Sequence, residues 1–129
     1  RSNDFIQLVS LEVLCGTEHR PPRAKLSLCV DGVEKSTENS GDGPVDAIFS
    51  GIKVLTSQTP HLQLYQVHAV TEGTDAQAEV TVRLEENGKT VNGQGADTDT
   101  MVASARAYIN ALNKLLVKRE KTAPAALSA

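Results

Sequence analysis

The sequence predicts an α+β fold built from two repeated β-β-β-α units in one domain, and three observations lead to it. Apolar and polar residues alternate strictly over residues 24–30 and again over residues 78–84, the period of a strand with one buried face. Each segment is followed by a dipeptide that favours a tight hairpin, Asp-Gly at 31–32 and Asn-Gly at 87–88. A single offset of 54 residues (78 − 24 = 54) relates the two copies, which indicates an internal repeat.

Length and composition limit what the chain does. Its 129 residues fit one domain with a core of its own, and the aromatic content of 3% without Trp makes that core aliphatic. A net charge of −3 without a basic stripe argues against a nucleic-acid partner. No segment has the pattern of a leader or a membrane span, so we expect no membrane partner and a cytoplasmic location.

The two cysteines, Cys15 and Cys29, lack CxxC spacing and neighbouring histidines, which argues against a zinc site or a redox pair. We expect structural thiols in a cytosolic protein. Because the chain starts at Arg1, we also expect it to be a fragment of a longer protein.

The first unit begins with residues 5–14, which carry apolar side chains on both alternating faces. This pattern predicts a strand that is buried on both sides or lies at an interface. A Pro-containing break precedes the alternating strand 24–30, and residues 33–37 are the predicted return strand. A helix follows from Pro44 to about Leu55, with Val45, Ile48, Ile52 and Leu55 on one face.

The corner between strand and helix, residues 41–47, reads Gly-Asp-Gly-Pro-Val-Asp-Ala. Glycine permits a sharp bend and a close approach of another molecule to the main chain, and proline is well tolerated at the first helical position. A helix start presents unpaired amides that suit a phosphate or a carboxylate. The same corner is also what an ordinary strand-to-helix turn looks like, so the motif alone leaves both interpretations open.

The second unit repeats this order. We predict strands at 62–70, 78–85 and 89–92, a turn at 72–75, a loop at 93–95 and a helix from about Asp99 to Val117. The two predicted units therefore span residues 5–57 and 62–117 of a domain covering residues 1–120, and residues 121–129 are predicted to be a disordered tail.

The second predicted helix carries a ladder of small residues, Ala103, Ala107 and Ala111, beside its apolar stripe. Small residues allow close packing, and the sequence leaves open whether the partner is the core or another subunit. At the start of this helix, Asp97, Thr98 and Asp99 provide N-cap oxygens. A metal site is the alternative interpretation, but no further carboxylate or histidine completes it.

Signatures of catalysis are not found in the sequence. His19, His61 and His68 lie in unrelated segments, and none is grouped with a nucleophile or a carboxylate pair. The Gly-rich corner lacks the GxxxxGK[ST] signature of a nucleotide-binding P-loop. We therefore expect no catalytic and no metal-binding residues, and predict a binding module rather than an enzyme.

Four segments together resemble the C-terminal regulatory domain of α-isopropylmalate synthase, a domain type that also occurs in citramalate synthase. They are the corner at 41–47, the strand Leu-Tyr-Gln-Val-His-Ala at 64–69, the segment Gly-Thr-Asp-Ala-Gln-Ala at 73–78, and the run from Gly-Ala-Asp-Thr-Asp-Thr to Ala-Leu-Asn at 95–113. The resemblance covers roughly residues 5–117.

The resemblance implies an allosteric sensor that pairs as a homodimer and inhibits a separate catalytic domain of the same full-length chain. That catalytic domain is a TIM barrel with a divalent metal, which condenses acetyl-CoA with a 2-oxo acid, and no cofactor is implied for the regulatory domain itself. The implied effector is L-leucine, or isoleucine in the citramalate synthases. Carried over by motif, the effector-binding residues are Gly41, Gly43, Val45, Asp46, Leu62, Tyr65, Ala69 and Ala76.

The chemistry of these residues agrees with an amino-acid effector. Amides at the helix start suit its carboxylate, loop carbonyls or an Asp suit its ammonium group, and the apolar residues suit its side chain. A purely structural dimerisation module is the competing interpretation, based on the apolar strands and the alanine ladder. The sequence alone does not separate leucine from isoleucine.

Overall fold

The structure, a computed structural model, describes residues 4–69 and 76–128. Its elements follow the predicted order of strand, strand, strand and helix, twice. They are β1 (Ile6–Leu14), β2 (Arg23–Val30), β3 (Val33–Ser40), α1 (Pro44–Thr56), β4 (His61–Ala69), β5 (Ala78–Glu86), β6 (Lys89–Asp97) and α2 (Thr100–Ser128). The predicted fold class and the internal repeat are confirmed, but the predicted single offset of 54 residues is wrong for the turns and helices: the hairpin turns at 31–32 and 87–88 and the helix starts at Gly43 and Asp99 are 56 residues apart (87 − 31 = 56 and 99 − 43 = 56). The predicted turn at 72–75 lies outside the described residues.

Each unit forms its own antiparallel three-stranded sheet, with strand order β1-β2-β3 in the first and β4-β5-β6 in the second. Both predicted hairpins are present. The turn between β2 and β3 has φ of 51° at Asp31 and 82° at Gly32, and that between β5 and β6 has 53° at Asn87 and 80° at Gly88. Two successive positive φ values define the type I′ turn, whose twist matches that of the flanking strands.

Helix α1 covers β2 and β3 of the first sheet, and its predicted apolar face is the one that does so. Ile48 and Ile52 are fully buried, Leu55 is nearly so, and Val45 is half-buried near the helix start. The alternating residues of β2 form the other side of this layer. The helical period and the strand period therefore each indicated the correct buried face.

Helix α2 packs closely on β6 because the strand has two glycines beneath it. An added Cβ at Gly93 would collide with the backbone of Ala107 and Ala111, and one at Gly95 would collide with the backbone of Ala103 and Ala107. The predicted loop at 93–95 is therefore wrong: these residues belong to β6, where glycine permits close approach rather than a bend. The alanine ladder is fully buried in this contact, so it belongs to the core of the chain.

Three further differences concern the ends and edges of elements. Strand β3 continues to Ser40, beyond the predicted end at residue 37, and α2 continues to Ser128 rather than ending near Val117. The helical span thus includes most of the segment predicted as a disordered tail. Strand β1 lies at a sheet edge, and Ile6 is buried whereas Val9 is 49% exposed, so the described residues do not bury the strand on both sides. The alternative, that β1 lies at an interface, stays a prediction.

The two units share one hydrophobic core, and polar contacts fasten them at two points. The Asn113 side chain on α2 accepts a hydrogen bond from the Ile6 amide and donates one to the Ile6 carbonyl, both at 2.9 Å and both buried. Near the far end of α2, Arg119 binds Glu86 of β5 and the Gln58 side chain in the connection between the units. These contacts hold the second helix against both halves of the repeat.

Candidate functional site

The predicted corner is a helix start without a side-chain cap. Gly43 is the N-cap residue of α1, with an extended backbone (φ −146°, ψ 174°), and Pro44 follows at the first helical position. The first helical hydrogen bond runs from the Ala47 amide to the Gly43 carbonyl at 3.0 Å. The amides of Val45 and Asp46, which precede it, have no acceptor among the described residues. Unpaired amides of this kind are the donors that a bound anion uses.

The two glycines of the corner have different roles. An ideal Cβ on Gly41 would lie 2.5 Å from the Ala47 amide nitrogen and 2.6 Å from Asp46 Oδ2, so only glycine fits against the first turn of α1. Gly43 has no atom within 4 Å of the position of an added Cβ, and its φ is open to any residue. Gly41 therefore closes the corner, whereas Gly43 leaves the space in front of the helix start open.

Asp46 stabilises the loop from within. Its Oδ2 accepts a hydrogen bond from the Asp42 amide at 2.9 Å, so the carboxylate reaches back from the first helical turn across the loop. The Gly41 amide donates to the Pro22 carbonyl at 3.1 Å, which ties the corner to the connection between β1 and β2. These two hydrogen bonds hold the loop that precedes the start of α1 in place.

A cleft of about 580 Å³ opens between the corner and the β1–β2 connection. The corner contributes residues 41–44, and the connection contributes Cys15, Gly16, Thr17, Arg20, Pro21 and Pro22. Arg20 is exposed and brings a guanidinium group to the same cleft as the helix start. A cation and the positive end of a helix dipole both favour an anionic group. Sequence reasoning missed Arg20, because only the fold brings this connection beside the corner.

The other predicted residues lie on and beyond β4. Tyr65 is half-buried, and its hydroxyl is 2.8 Å from Ser104 Oγ on α2. Leu62 is 37% exposed, Ala69 is the last residue of β4, and Ala76 is half-buried just before β5. None of these four lines the cleft at the corner, and neither do Val45 and Asp46, so Gly41 and Gly43 are the predicted residues that do. The structure therefore places the predicted site residues in two groups, one at the start of α1 and one on β4.

Helix α1 connects these two groups. Phe49 lies one turn after Val45, and its ring meets that of Tyr65 edge-on, with the ring centres 5.8 Å apart. On its other side the Phe49 ring packs against Tyr108 of α2, with the centres 4.5 Å apart. Phe49 itself is 4% exposed, so α1 carries the corner at one end and a buried aromatic contact with the second unit one turn later.

Strand β4 shows an apolar face that the described part of the chain leaves uncovered. Tyr65 and Val67 pair with Val82 and Val80, which are fully buried, so they share the helix side of the second sheet. Val67 is nevertheless 46% exposed, because α2 packs along β5 and β6 and reaches β1 instead of covering β4. With Leu62, these residues form an exposed apolar strip beside the aromatic contact.

The Tyr108 hydroxyl is unusual among the polar groups of the core. It is buried and has no hydrogen-bond partner among the described residues. Burial disfavours the phenolate and raises the pKa of Tyr108 to about 12. Leaving a buried polar group unpaired costs about 1–3 kcal/mol of folding free energy, so the unpaired Tyr108 hydroxyl lowers the stability of the folded chain.

The start of α2 is the corresponding corner of the second unit, and there a side chain accepts hydrogen bonds from the helix amides. Asp99 Oδ1 accepts hydrogen bonds from the amides of Met101 at 2.8 Å and Val102 at 3.4 Å. The first helical bond there runs from the Ala103 amide to the Asp99 carbonyl, as it does from Ala47 to Gly43 in α1. The predicted N-cap role of Asp99 is therefore confirmed.

The described residues contain no cluster of three or more His, Cys, Asp or Glu side chains arranged to hold a metal ion. Within the same residues, no helix has both the length and the apolar character needed to span a membrane.

Comparison with known proteins agrees with this architecture. Residues 1–116 match the family model described as "LeuA allosteric (dimerisation) domain". Among similar proteins, the 2-isopropylmalate synthase of Rhodopseudomonas palustris is 56% identical over 128 residues, which is 98% of this chain and 24% of the relative. That of Nitrobacter hamburgensis is 52% identical over 128 residues, covering 99% of this chain and 24% of the relative.

The chain thus spans about a quarter of the length of the curated relatives that it matches. The match to the family model covers most of the chain, and the repeated β-β-β-α units provide its structural counterpart. The chain belongs to the family of LeuA allosteric (dimerisation) domains, the regulatory domain of 2-isopropylmalate synthases.

Proposed function

We propose that this domain binds L-leucine and thereby inhibits the condensation of acetyl-CoA with 2-oxoisovalerate by a catalytic domain of the same full-length chain. The observation that carries the proposal is the uncapped start of α1, where the amides of Val45 and Asp46 have no acceptor among the described residues. The similar proteins named 2-isopropylmalate synthase support leucine over isoleucine, because leucine is the end product to which that reaction leads.

The second unit provides a pattern for how the carboxylate of the effector binds. In α2 the Asp99 carboxylate occupies the amides of the second and third helical residues, Met101 and Val102. Val45 and Asp46 hold the same positions in α1, where glycine replaces the capping aspartate. The leucine carboxylate takes the place that the Asp99 side chain has in the second unit, and Arg20 adds a cation on the facing wall of the cleft.

The remaining parts of the effector have chemically suitable neighbours. The Asp42 carboxylate, the loop carbonyls and the second oxygen of Asp46 are acceptors for the ammonium group, since only Oδ2 of Asp46 is engaged in the loop. Val45 and the apolar residues of β4 receive the side chain. Burying a leucine side chain contributes about 1.5–3 kcal/mol. Losing one methylene, as in valine, costs about 1–3 kcal/mol, so the size selectivity is modest.

A homodimer completes the site in this proposal. The apolar strip formed by Leu62, Tyr65 and Val67 is uncovered in one protomer, and the family model is described as a dimerisation domain. A second copy that covers this strip encloses the effector between the start of α1 and β4. Leucine therefore raises the stability of the dimer as it binds.

Calorimetric titration of the chain with leucine, isoleucine, valine and leucinamide tests the proposal. We expect leucine to bind most tightly and valine more weakly, and leucinamide to bind poorly because it lacks the carboxylate. Thermal unfolding at two protein concentrations tests the dimer, since a bound effector at an interface makes the midpoint depend on concentration. The absence of heat with every amino acid at dimer-forming concentration would contradict the proposal.

A purely structural dimerisation module is the second candidate, and the exposed strip on β4 favours it. The variant Val67→Glu separates the two, because it places a charge on the strip without touching the helix start. We expect it to weaken both dimerisation and leucine binding if the site is completed by a second copy. Loss of the dimer in a chain that never responds to leucine would favour the structural module. The alanine ladder is not suited to this test, because Ala107 is part of the core.

A further inference from the structure

The contact between the two units is built around the only tyrosines of the chain. There are two of them, Tyr65 and Tyr108, and the Phe49 ring lies between them with centre distances of 5.8 Å and 4.5 Å. Phe49 belongs to α1 of the first unit, whereas Tyr65 lies on β4 and Tyr108 on α2 of the second. Any shift of α1 along or about its axis therefore changes the surroundings of both tyrosines.

The hydroxyl groups of these tyrosines differ in their hydrogen bonding. Ser104 Oγ donates to the Thr100 carbonyl at 2.8 Å, so its single proton is used and the Tyr65 hydroxyl is the donor in its 2.8 Å contact with Ser104. The Tyr65 oxygen and Ser104 Oγ both retain acceptor capacity. Tyr108 follows Ser104 by one helical turn, and its buried hydroxyl is without a partner in the part of the chain that the structure describes.

We propose that the Tyr108 hydroxyl, which has no partner among the described residues, is a hydrogen-bond donor that pairs with Ser104 Oγ or the Tyr65 oxygen when the effector binds. This inference rests on the proposed function, since it describes how that site is regulated. A ligand shifts a protein toward the arrangement that it binds better. An effector at the start of α1 displaces Phe49, which is one turn after Val45, and this movement lets the Tyr108 hydroxyl reach an acceptor.

The two Tyr→Phe variants are a matched pair, because each removes one hydroxyl from the same aromatic contact. Tyr108→Phe removes an unpaired group, so the effector-free chain should melt about 4 °C higher. Tyr65→Phe removes a hydrogen bond that already exists, so the effector-free chain should melt lower. Tyr108→Phe should also raise the leucine Kd about tenfold, which corresponds to about 1.4 kcal/mol, because it removes a bond that only the bound arrangement makes.

A spectroscopic measurement supports the assignment to one group. In the Tyr65→Phe variant, Tyr108 is the only remaining tyrosine and Ser104 Oγ remains as an acceptor. Saturating leucine should then shift the Tyr108 absorption band to longer wavelength as its hydroxyl becomes a donor to Ser104. A lower melting midpoint for Tyr108→Phe, or a leucine Kd equal to that of the wild type, would overturn the inference. If the wild-type chain binds no amino acid, the proposed function fails as well. Equal leucine binding by the wild type and Tyr108→Phe removes this inference alone.

Discussion

The two β-β-β-α units have the same order of elements, but their helices begin differently. Helix α2 is capped by its own Asp99 carboxylate, whereas α1 begins at Gly43 with no side chain to accept its amides. The contrast indicates that the two copies of the structural unit use their helix starts differently. One copy has a corner whose amides are capped by its own side chain. In the other copy the corresponding amides have no acceptor among the described residues, and it is there that we propose the effector carboxylate binds.

The same two units also differ in how helix and sheet approach each other. In the second unit the glycines are on the strand, at Gly93 and Gly95, and alanines on α2 lie directly over them. In the first unit the glycine is on the helix, where a Cβ at Gly51 would lie 3.2 Å from Leu26 Cδ2 and in ordinary van der Waals contact with Thr37 and Asn39 of β3. The close approach that only glycine permits is therefore a feature of the second unit, and the helix of the first unit lies farther from its sheet.

The largest expected effect is at the strand glycines of the second unit. Gly93→Ala places a Cβ against the backbone of Ala107 and Ala111, which cannot move aside as a flexible side chain would. We expect the free energy of unfolding to fall by more than about 3 kcal/mol in chemical denaturation. Thr37 holds the corresponding position in β3, since each residue lies four positions after the first residue of its strand. Thr37 carries a side chain, so Thr37→Ala is the matched control and should cost far less. Equal losses of unfolding free energy at both positions would show that the distance between helix and sheet does not differ between the two units.

The second effect concerns the longer helix, which reaches across to the first unit. Asn113→Leu keeps the volume of the side chain but leaves the buried amide and carbonyl of Ile6 unpaired. We expect a loss of about 3 kcal/mol in the free energy of unfolding, because two buried polar groups lose their partner. Asn110→Leu, whose Oδ1 accepts an exposed bond from the Gln94 amide, is the control and should cost under about 1 kcal/mol. A small loss of unfolding free energy for Asn113→Leu would contradict the role of Asn113 in holding the two units together.

The third effect is a dependence on alkaline pH that comes from the second unit. The pKa of Tyr108 is raised from 10.0 to about 12 in the folded chain, so the unfolded chain loses the phenolic proton first. The free energy of unfolding should therefore fall between pH 10 and pH 12, by about 2–3 kcal/mol at about 1.4 kcal/mol per pKa unit. The corresponding residue of the first unit, nine positions after the N-cap of its helix, is Ile52, which does not titrate. Tyr108→Phe should flatten this part of the profile, and an unchanged slope would show that another group causes it.

The smallest effect is at the two helix starts. Asp99→Ala removes the cap of α2 and should lower the free energy of unfolding by about 1 kcal/mol, whereas Gly43→Asp adds a cap to α1 and should raise it by a similar amount. Thermal unfolding of the two variants and of Gly43→Ala, which adds a Cβ into open space, measures both changes. Destabilisation by Gly43→Asp would show that the amides of Val45 and Asp46 are not open to a carboxylate.

Much of the fold was predictable because it follows from local chemistry. The dipeptides at 31–32 and 87–88 require positive φ values, and the period of two in β2 and β5 identifies their buried faces. The glycines of β6 misled the prediction, since glycine is typical both of loops and of strands that pack closely under a helix. Only the position of α2 decides between these two uses.

The site was predictable only in part, and for a related reason. The corner at 41–47 is a contiguous segment, so the helix start and its N-cap glycine could be recognised from the order of residues. Arg20 and Ser104 come from other elements, and no local pattern indicates that they lie beside the corner and beside Tyr65. The amphipathic pattern of β4 likewise gives no indication that α2 leaves its apolar side uncovered.

The most direct test of the open corner is calorimetric titration of leucine into the wild-type chain, Gly43→Asp and Gly43→Ala. The introduced aspartate should fold back onto the amides of Val45 and Asp46, as Asp99 does on α2, and exclude the carboxylate of the effector. We predict that Gly43→Asp binds leucine at least about tenfold more weakly, a difference of about 1.4 kcal/mol, while Gly43→Ala binds it like the wild type. Leucine binding of unchanged affinity by Gly43→Asp would contradict the account.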